Sequence, residues 1–182
     1  MGLFTLIFLL LGIYCGTERS DIKHLSDFEA KEINFTSLQC SINDFLKGDT
    51  LTIPPSFSSK RIKRLPSEKQ VYSVLCYVKF YQLETDNDYH LVCCDSNYNY
   101  KFIAEIPSPE CQESRASGYA ANYKAARLLL DSLYPLIHSG KHWTKYKFPL
   151  LITGVAFHDF VHGQTGHARK GIELHPVLFI TY

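Results

Sequence analysis

The chain lacks a dominant charge: 19 Lys and Arg stand against 18 Asp and Glu in 182 residues, a formal net charge of +1. No global field draws it onto nucleic acid or an anionic membrane, so nucleic-acid binding finds no support in the net charge and would need a local patch. It also lacks any apolar run of the roughly 20 residues that a membrane-spanning helix needs. No C-x-x-C occurs among its six cysteines, which removes zinc-ribbon and thioredoxin-like readings. The absence of G-x-S-x-G, a P-loop and a dinucleotide fingerprint argues against a serine hydrolase, a nucleotide triphosphatase and an oxidoreductase.

What remains is a chain long enough for one well-buried core and too short for two ordinary domains. Three parts are expected: a signal over 1–16, an extension over 17–68 and a compact domain over 69–182. Leu3 to Ile13 has the length of a signal-peptide core, which predicts export. Its end at Cys15 resembles the lipid-attachment site of bacterial lipoproteins over Leu11 to Cys15, with Tyr14 where a small residue is usual. Lipidation of Cys15, which would supply the one contact with a membrane, and ordinary cleavage nearby are the alternatives. With Cys15 removed or lipidated, five cysteines are left, so at least one is expected to be a free thiol or to pair between chains. The extension reads as a tether carrying one short helix, with Leu38, Ile42, Phe45 and Leu46 at helical spacing, Asn34 or Thr36 as cap and Gly48 as stop. The basic group Lys60, Arg61, Lys63 and Arg64 reads as a solvated linker, with an anion-binding patch as the alternative.

The compact part alternates in period. Val71 to Leu83, Tyr89 to Cys94 and Tyr100 to Ile106 read as three consecutive strands; Ser117 to Tyr134 reads as a helix with Tyr119, Tyr123, Leu130 and Leu133 toward the core; Leu150 to Phe157 and Ile172 to Ile180 read as two more strands. The order β-β-β-α-β-β predicts an OB-fold-like five-stranded antiparallel barrel, mainly β with one main helix. Ligands of such barrels commonly meet the loops that here run from Glu84 to Asp88 and from Asp159 to Gly171.

Five ionisable residues fall on strands that are otherwise apolar: Asp88 and His90, Glu105, and Glu173 and His175. The D-x-H and E-x-H spacings put each carboxylate on the face of its histidine, which a strand does at two-residue separation. Buried carboxylates and imidazoles need partners. They are candidates for catalysis, with His90, Glu173 and His175 as candidate ligands of a divalent metal; the bland alternative is a polar network pinning loops to the barrel. Asp159, His162, Gln164 and Arg169 in the last loop are candidate ligand-binding residues. His158-Asp159-Phe160-Val161-His162 is a poor relative of the zinc-protease H-E-x-x-H, because that motif needs a helix to bring both histidines to one face.

The segments D-N-D-Y-H-L-V (Asp86 to Val92), F-I-A-E-I-P (Phe102 to Pro107), G-V-A-F-H-D-F-V-H-G-Q-T-G (Gly154 to Gly166) and I-E-L-H-P-V (Ile172 to Val177) resemble those of a group of small exported bacterial proteins to which no firm activity attaches. The resemblance implies a bacterial source and export. The strand order is also similar to staphylococcal nuclease, a family with a calcium-binding carboxylate cluster and paired arginines. Arg115, Arg127 and Arg169 all follow the first three strands, so those arginines have no counterparts here. Two functions follow as expectations: an exported, lipid-anchored or secreted binding module for a small or oligomeric ligand, perforce of unassigned chemistry, or a metal-dependent hydrolase of the phosphodiesterase or nuclease kind.

Overall fold

The computed structural model describes residues 15–16, 18–50, 62–134, 141–144 and 148–182. The apolar run Leu3 to Ile13 and the basic residues Lys60 and Arg61 lie outside them. Seven strands form one sheet: β1 (Asn34–Cys40), β2 (Gln70–Leu83), β3 (Tyr89–Cys94), β4 (Lys101–Ile106), β5 (Lys141–Trp143), β6 (Leu150–His158) and β7 (Ile172–Thr181). Around them are the helices α1 (Ser20–Lys23), α2 (Ile42–Leu46), α3 (Gln112–Ser117) and α4 (Ala120–Leu133).

Five strands close on themselves in the order β2-β3-β4-β7-β6, and β6 returns to β2. This is the expected OB-like barrel with a helix between its third and fourth strands. Four of its pairings are antiparallel, whereas β4 and β7 run parallel, so the barrel is mixed rather than wholly antiparallel. The parallel pair follows from the crossover through α4, which brings the chain back so that the last strand enters beside β4. Inside lie Val74, Val78, Leu91, Phe102, Ala104, Ile152 and Leu174, all fully buried.

The barrel has a helix at each end. Beside the β2–β3 loop, α4 turns Tyr123, Ala126 and Leu130 into the core. Its Arg127 donates to the carbonyls of Pro107, Ile106 and Asn87 and lies 4.1 Å over the Tyr89 ring. The helix expected over Ser117 to Tyr134 is α4, which begins at Ala120; the short α3 before it is additional, and Gly118, with a left-handed φ of 81°, separates the two. At the other end, Phe45 of α2 packs edge-on against Phe102 at 5.1 Å. Asp49 just beyond α2 accepts from the backbone N–H groups of Lys170 and Ile172 at 2.7 and 2.9 Å.

The N-terminal part departs most from expectation. Ser41, not Asn34 or Thr36, caps α2, accepting from the Asp44 N–H at 3.1 Å. The helix therefore starts at Ile42, and Asn34–Cys40, which includes Phe35 and Thr36, forms β1 in parallel pairing with β2. Nor are residues 18–50 a tether: Ile22, Leu25, Ile33, Ile42 and Phe45 are buried. Arg64 of the basic group is buried too, paired with Asp27 at 2.5 Å and donating to the Ile22 and Glu68 carbonyls. A linker charge would be solvated; this one ties two parts of the extension together. Cys15 is bonded to Cys111, leaving Cys40, Cys76, Cys93 and Cys94 as thiols. One sulfur cannot carry both a thioether-linked lipid and a disulfide, so the pairing with Cys111 takes the atom that lipidation at Cys15 requires.

Candidate functional site

Alternation divides each barrel strand between two environments. Tyr89, Leu91 and Cys93 of β3, Phe102, Ala104 and Ile106 of β4, and Ile172 and Leu174 of β7 face the core. His90, Glu105, Glu173 and His175, which lie between them, therefore stand on the outer face. His90 sits opposite Glu105 in the β3–β4 register, and the parallel β4–β7 pairing sets Glu173 beside Ile103. Asp88 joins them from the loop before β3.

An open outer face would leave these groups in water, yet all five are buried. Two segments roof them. The loop 159–171 folds back along β3, and its glycines make this possible: Gly166 and Gly171 have φ of 91° and 94°, and a Cβ on either would collide with Val92 or with the Asp159 carbonyl. The second cover is the segment 18–24. Arg19 grips Glu68 with both guanidinium nitrogens, at 2.8 and 2.5 Å, donates to the His158 carbonyl at 3.0 Å and lies 4.6 Å over the Phe157 ring. The Cys15–Cys111 bridge and a 2.9 Å hydrogen bond from the Tyr123 hydroxyl to the His24 carbonyl hold the same segment down.

Beneath the roof Glu105 is the hub. Its oxygens lie 2.8 Å from His90 Nδ1 and 3.0 Å from His175 Nδ1. His90 Nε2 faces the Thr165 carbonyl at 2.9 Å, and Glu84 is 3.3 Å from Nδ1. His175 is flanked by Glu173 at 3.2 Å and, on Nε2, by Asp88 at 3.4 Å. Both nitrogens of both rings thus face oxygen acceptors, an arrangement that favours imidazolium. Asp88 also accepts from the Ser108 N–H at 3.0 Å and has Arg127 4.0 Å away.

The protonation follows from the geometry. Burial alone would depress His90, but Glu105 and Glu84 outweigh it and lift its pKa to about 9. Burial likewise opposes protonation of His175, and the bonds to Asp88, Glu105 and Glu173 drive its pKa well up. Burial would raise Glu105, but the two imidazoliums hold it well below the usual carboxylate range. Glu173 goes the other way, to about 8, through burial and the neighbouring Glu105 charge. The cluster is therefore a proton-holding network.

Next to it lies a cavity of about 260 Å³. Six carboxyls line it, those of Glu18, Glu84, Asp86, Asp88, Glu105 and Asp159, with Lys23, His24, His90, His162 and Gln164. Burial and then the Asp159 charge push Glu18 up to about 7; Glu84 and Asp86 are also raised, by burial first and by neighbouring carboxylates second. Lys23 keeps its proton because Asp159, at 4.0 Å, and Glu105, Glu173 and Glu18 outweigh the cost of burying it. Two donor sets are compact enough for one ion: Glu84, His90 and Glu105, and Asp88, Glu105 and His175.

Asp88, His90, Glu105, Glu173 and His175 are thus brought together, and Asp159, His162 and Gln164 reach the cavity. Gln164 shapes the turn as well, accepting from the His162 N–H at 2.8 Å and donating to the Phe160 carbonyl at 3.1 Å. Arg169 does not join them. It is exposed, in a separate groove with Lys101, His167 and Lys170, because the tip of the loop carries it away from the roofed face. His158 ends β6 while His162 lies in the loop, so no helix presents the two together. Glu84 and Asp86 lie in a loop whose polarity marks it, whereas Glu18, Lys23 and His24 belong to a stretch with no local sign of a site. No family model, no curated protein and no solved structure matches the chain, so the reading of this site rests on its own geometry.

Proposed function

We propose that the protein is an exported OB-barrel binding module whose roofed cavity takes a divalent cation. The observation that carries this reading is the convergence of six carboxyls on one cavity. Three of them, Glu18, Glu84 and Asp86, have raised pKa values because they are half-buried among like charges. A bound cation relieves that repulsion, and oxygen-rich sites suit hard ions such as Ca²⁺, Mg²⁺ or Mn²⁺. The same carboxyls disfavour an anionic ligand, nucleic acid included. Export, with cleavage ahead of Cys15 rather than after residue 16 so that the bridge is kept, is supported by the apolar run Leu3 to Ile13 and by the Cys15–Cys111 bridge, since such bonds persist in oxidising compartments. The resemblance to small exported bacterial proteins points the same way.

Metal-dependent hydrolysis is the second reading. It is favoured by the carboxyls and imidazole that share the cavity wall, Glu84, Asp88, Glu105 and His90, the residue types that hold an ion and activate water. Titration of the purified, metal-stripped protein with Ca²⁺, Mg²⁺ and Mn²⁺ tests the first reading, and saturable binding to one site is expected. A phosphodiester screen with and without chelator tests the second, where chelator-sensitive turnover is the expected sign. Absence of binding by all three ions would remove both.

A further inference from the structure

Three histidines line the cavity: His24, His90 and His162. His162 stands half-exposed at the rim, and both nitrogens of His90 face acceptors. His24 differs from both. It is 1% exposed, its Nδ1 lies 2.6 Å from the Ser20 carbonyl, and its Nε2 is buried with no hydrogen-bond partner. A carbonyl only accepts, so Nδ1 carries the proton and Nε2 presents a lone pair. Burial lowers its pKa, against the pull of Asp88, and keeps the ring neutral.

Leaving a buried acceptor unpaired costs free energy, and the backbone that places His24 is strained as well. Arg19 and Leu25, on either side of α1, have φ of 47° and 61°, and neither is glycine. The segment is nevertheless fixed by the Cys15–Cys111 bridge, the Arg19–Glu68 pair and the hydrogen bond from Tyr123.

We propose that His24 completes the cation site as an outer ligand: a divalent ion held by the carboxyls keeps a water, and that water donates a hydrogen bond to His24 Nε2. This rests on the cation reading above. Bonding through water rather than directly fits two observations. His24 belongs to neither compact donor set, and small hard divalent ions give up water reluctantly. The bond from Nδ1 to a backbone carbonyl is also the support that orients imidazoles in metal sites.

Mn²⁺ titration of the full-length protein, followed by water-proton relaxation, tests this with wild type, His24→Asn and His24→Gln. Asn keeps a donor for the Ser20 carbonyl and removes Nε2. The Gln amide oxygen reaches toward the place of Nε2. The expected results are enhanced relaxation from metal-bound water in wild type, about tenfold weaker binding in His24→Asn with an unchanged melting temperature, and partial recovery in His24→Gln. Equal affinity in wild type and both variants overturns the proposal, as does a wild-type complex without exchanging metal-bound water. A wild type that binds no Mn²⁺ removes the cation reading and this one with it.

Discussion

Glu105 is where the account can be tested one residue at a time. It bonds two histidines at 2.8 and 3.0 Å on the roofed face, where its own side chain is nearly buried. Removing one partner of a buried ionic network strands the others, at a cost of about 3 to 5 kcal/mol. Glu105→Gln should therefore lower unfolding stability by that amount in a urea titration at neutral pH. Arg169→Ala, in the exposed groove, should change it by less than about 0.5 kcal/mol. Equal effects would show that the network is not what the distances indicate. The D-x-H and E-x-H spacings made this cluster legible, because two-residue alternation in a strand is a local rule. That Glu105 is the hub was not legible, since it depends on register between three strands.

Among the elements, the roof segment 18–24 and helix α4 make separate predictions. The Cys15–Cys111 bridge spans 96 residues of sequence, and closing a loop of that size stabilises by about 4 to 5 kcal/mol on the chain-entropy account. Cys111→Ser should lose much of that and expose the segment near Arg19 and Lys23 to limited proteolysis. An unchanged cleavage pattern would mean that the Arg19–Glu68 pair and the Tyr123 hydrogen bond hold the roof without the bridge. In α4, Leu130 is fully buried, so Leu130→Ala should cost about 2 to 5 kcal/mol, read from chemical denaturation. The five barrel strands and α4 could be read from hydrophobic period alone. The strand character of Asn34–Cys40 could not, because its edge pairs with β2 rather than burying an apolar stripe. Arg19 and Glu68 are 49 residues apart, and no local pattern announces such a pair.

At the scale of the whole molecule, the proton-holding groups set how stability follows pH. Glu173 moves from 4.5 to about 8, Glu18 from 4.5 to about 7 and His90 from 6.5 to about 9. Each is raised, so the native state holds protons that the unfolded chain has released, and stability falls as pH rises through these windows. Glu105 is depressed, and its contribution is lost only as pH falls below the usual carboxylate range. The melting temperature of the metal-free protein should therefore peak on the acid side of neutrality and fall toward about pH 9. A maximum on the alkaline side would contradict these shifts.

The central claim is that the cavity exchanges protons for a cation, and one measurement reaches it directly. Calorimetric titration of metal-free protein with Mn²⁺ or Ca²⁺, in buffers of different ionisation heat, counts the protons released on binding. The account predicts one saturable site, net proton release near neutral pH, and affinity that rises with pH as Glu18, Glu173 and His90 lose their protons. Absence of binding, or binding with no proton release and no dependence on pH, would contradict it.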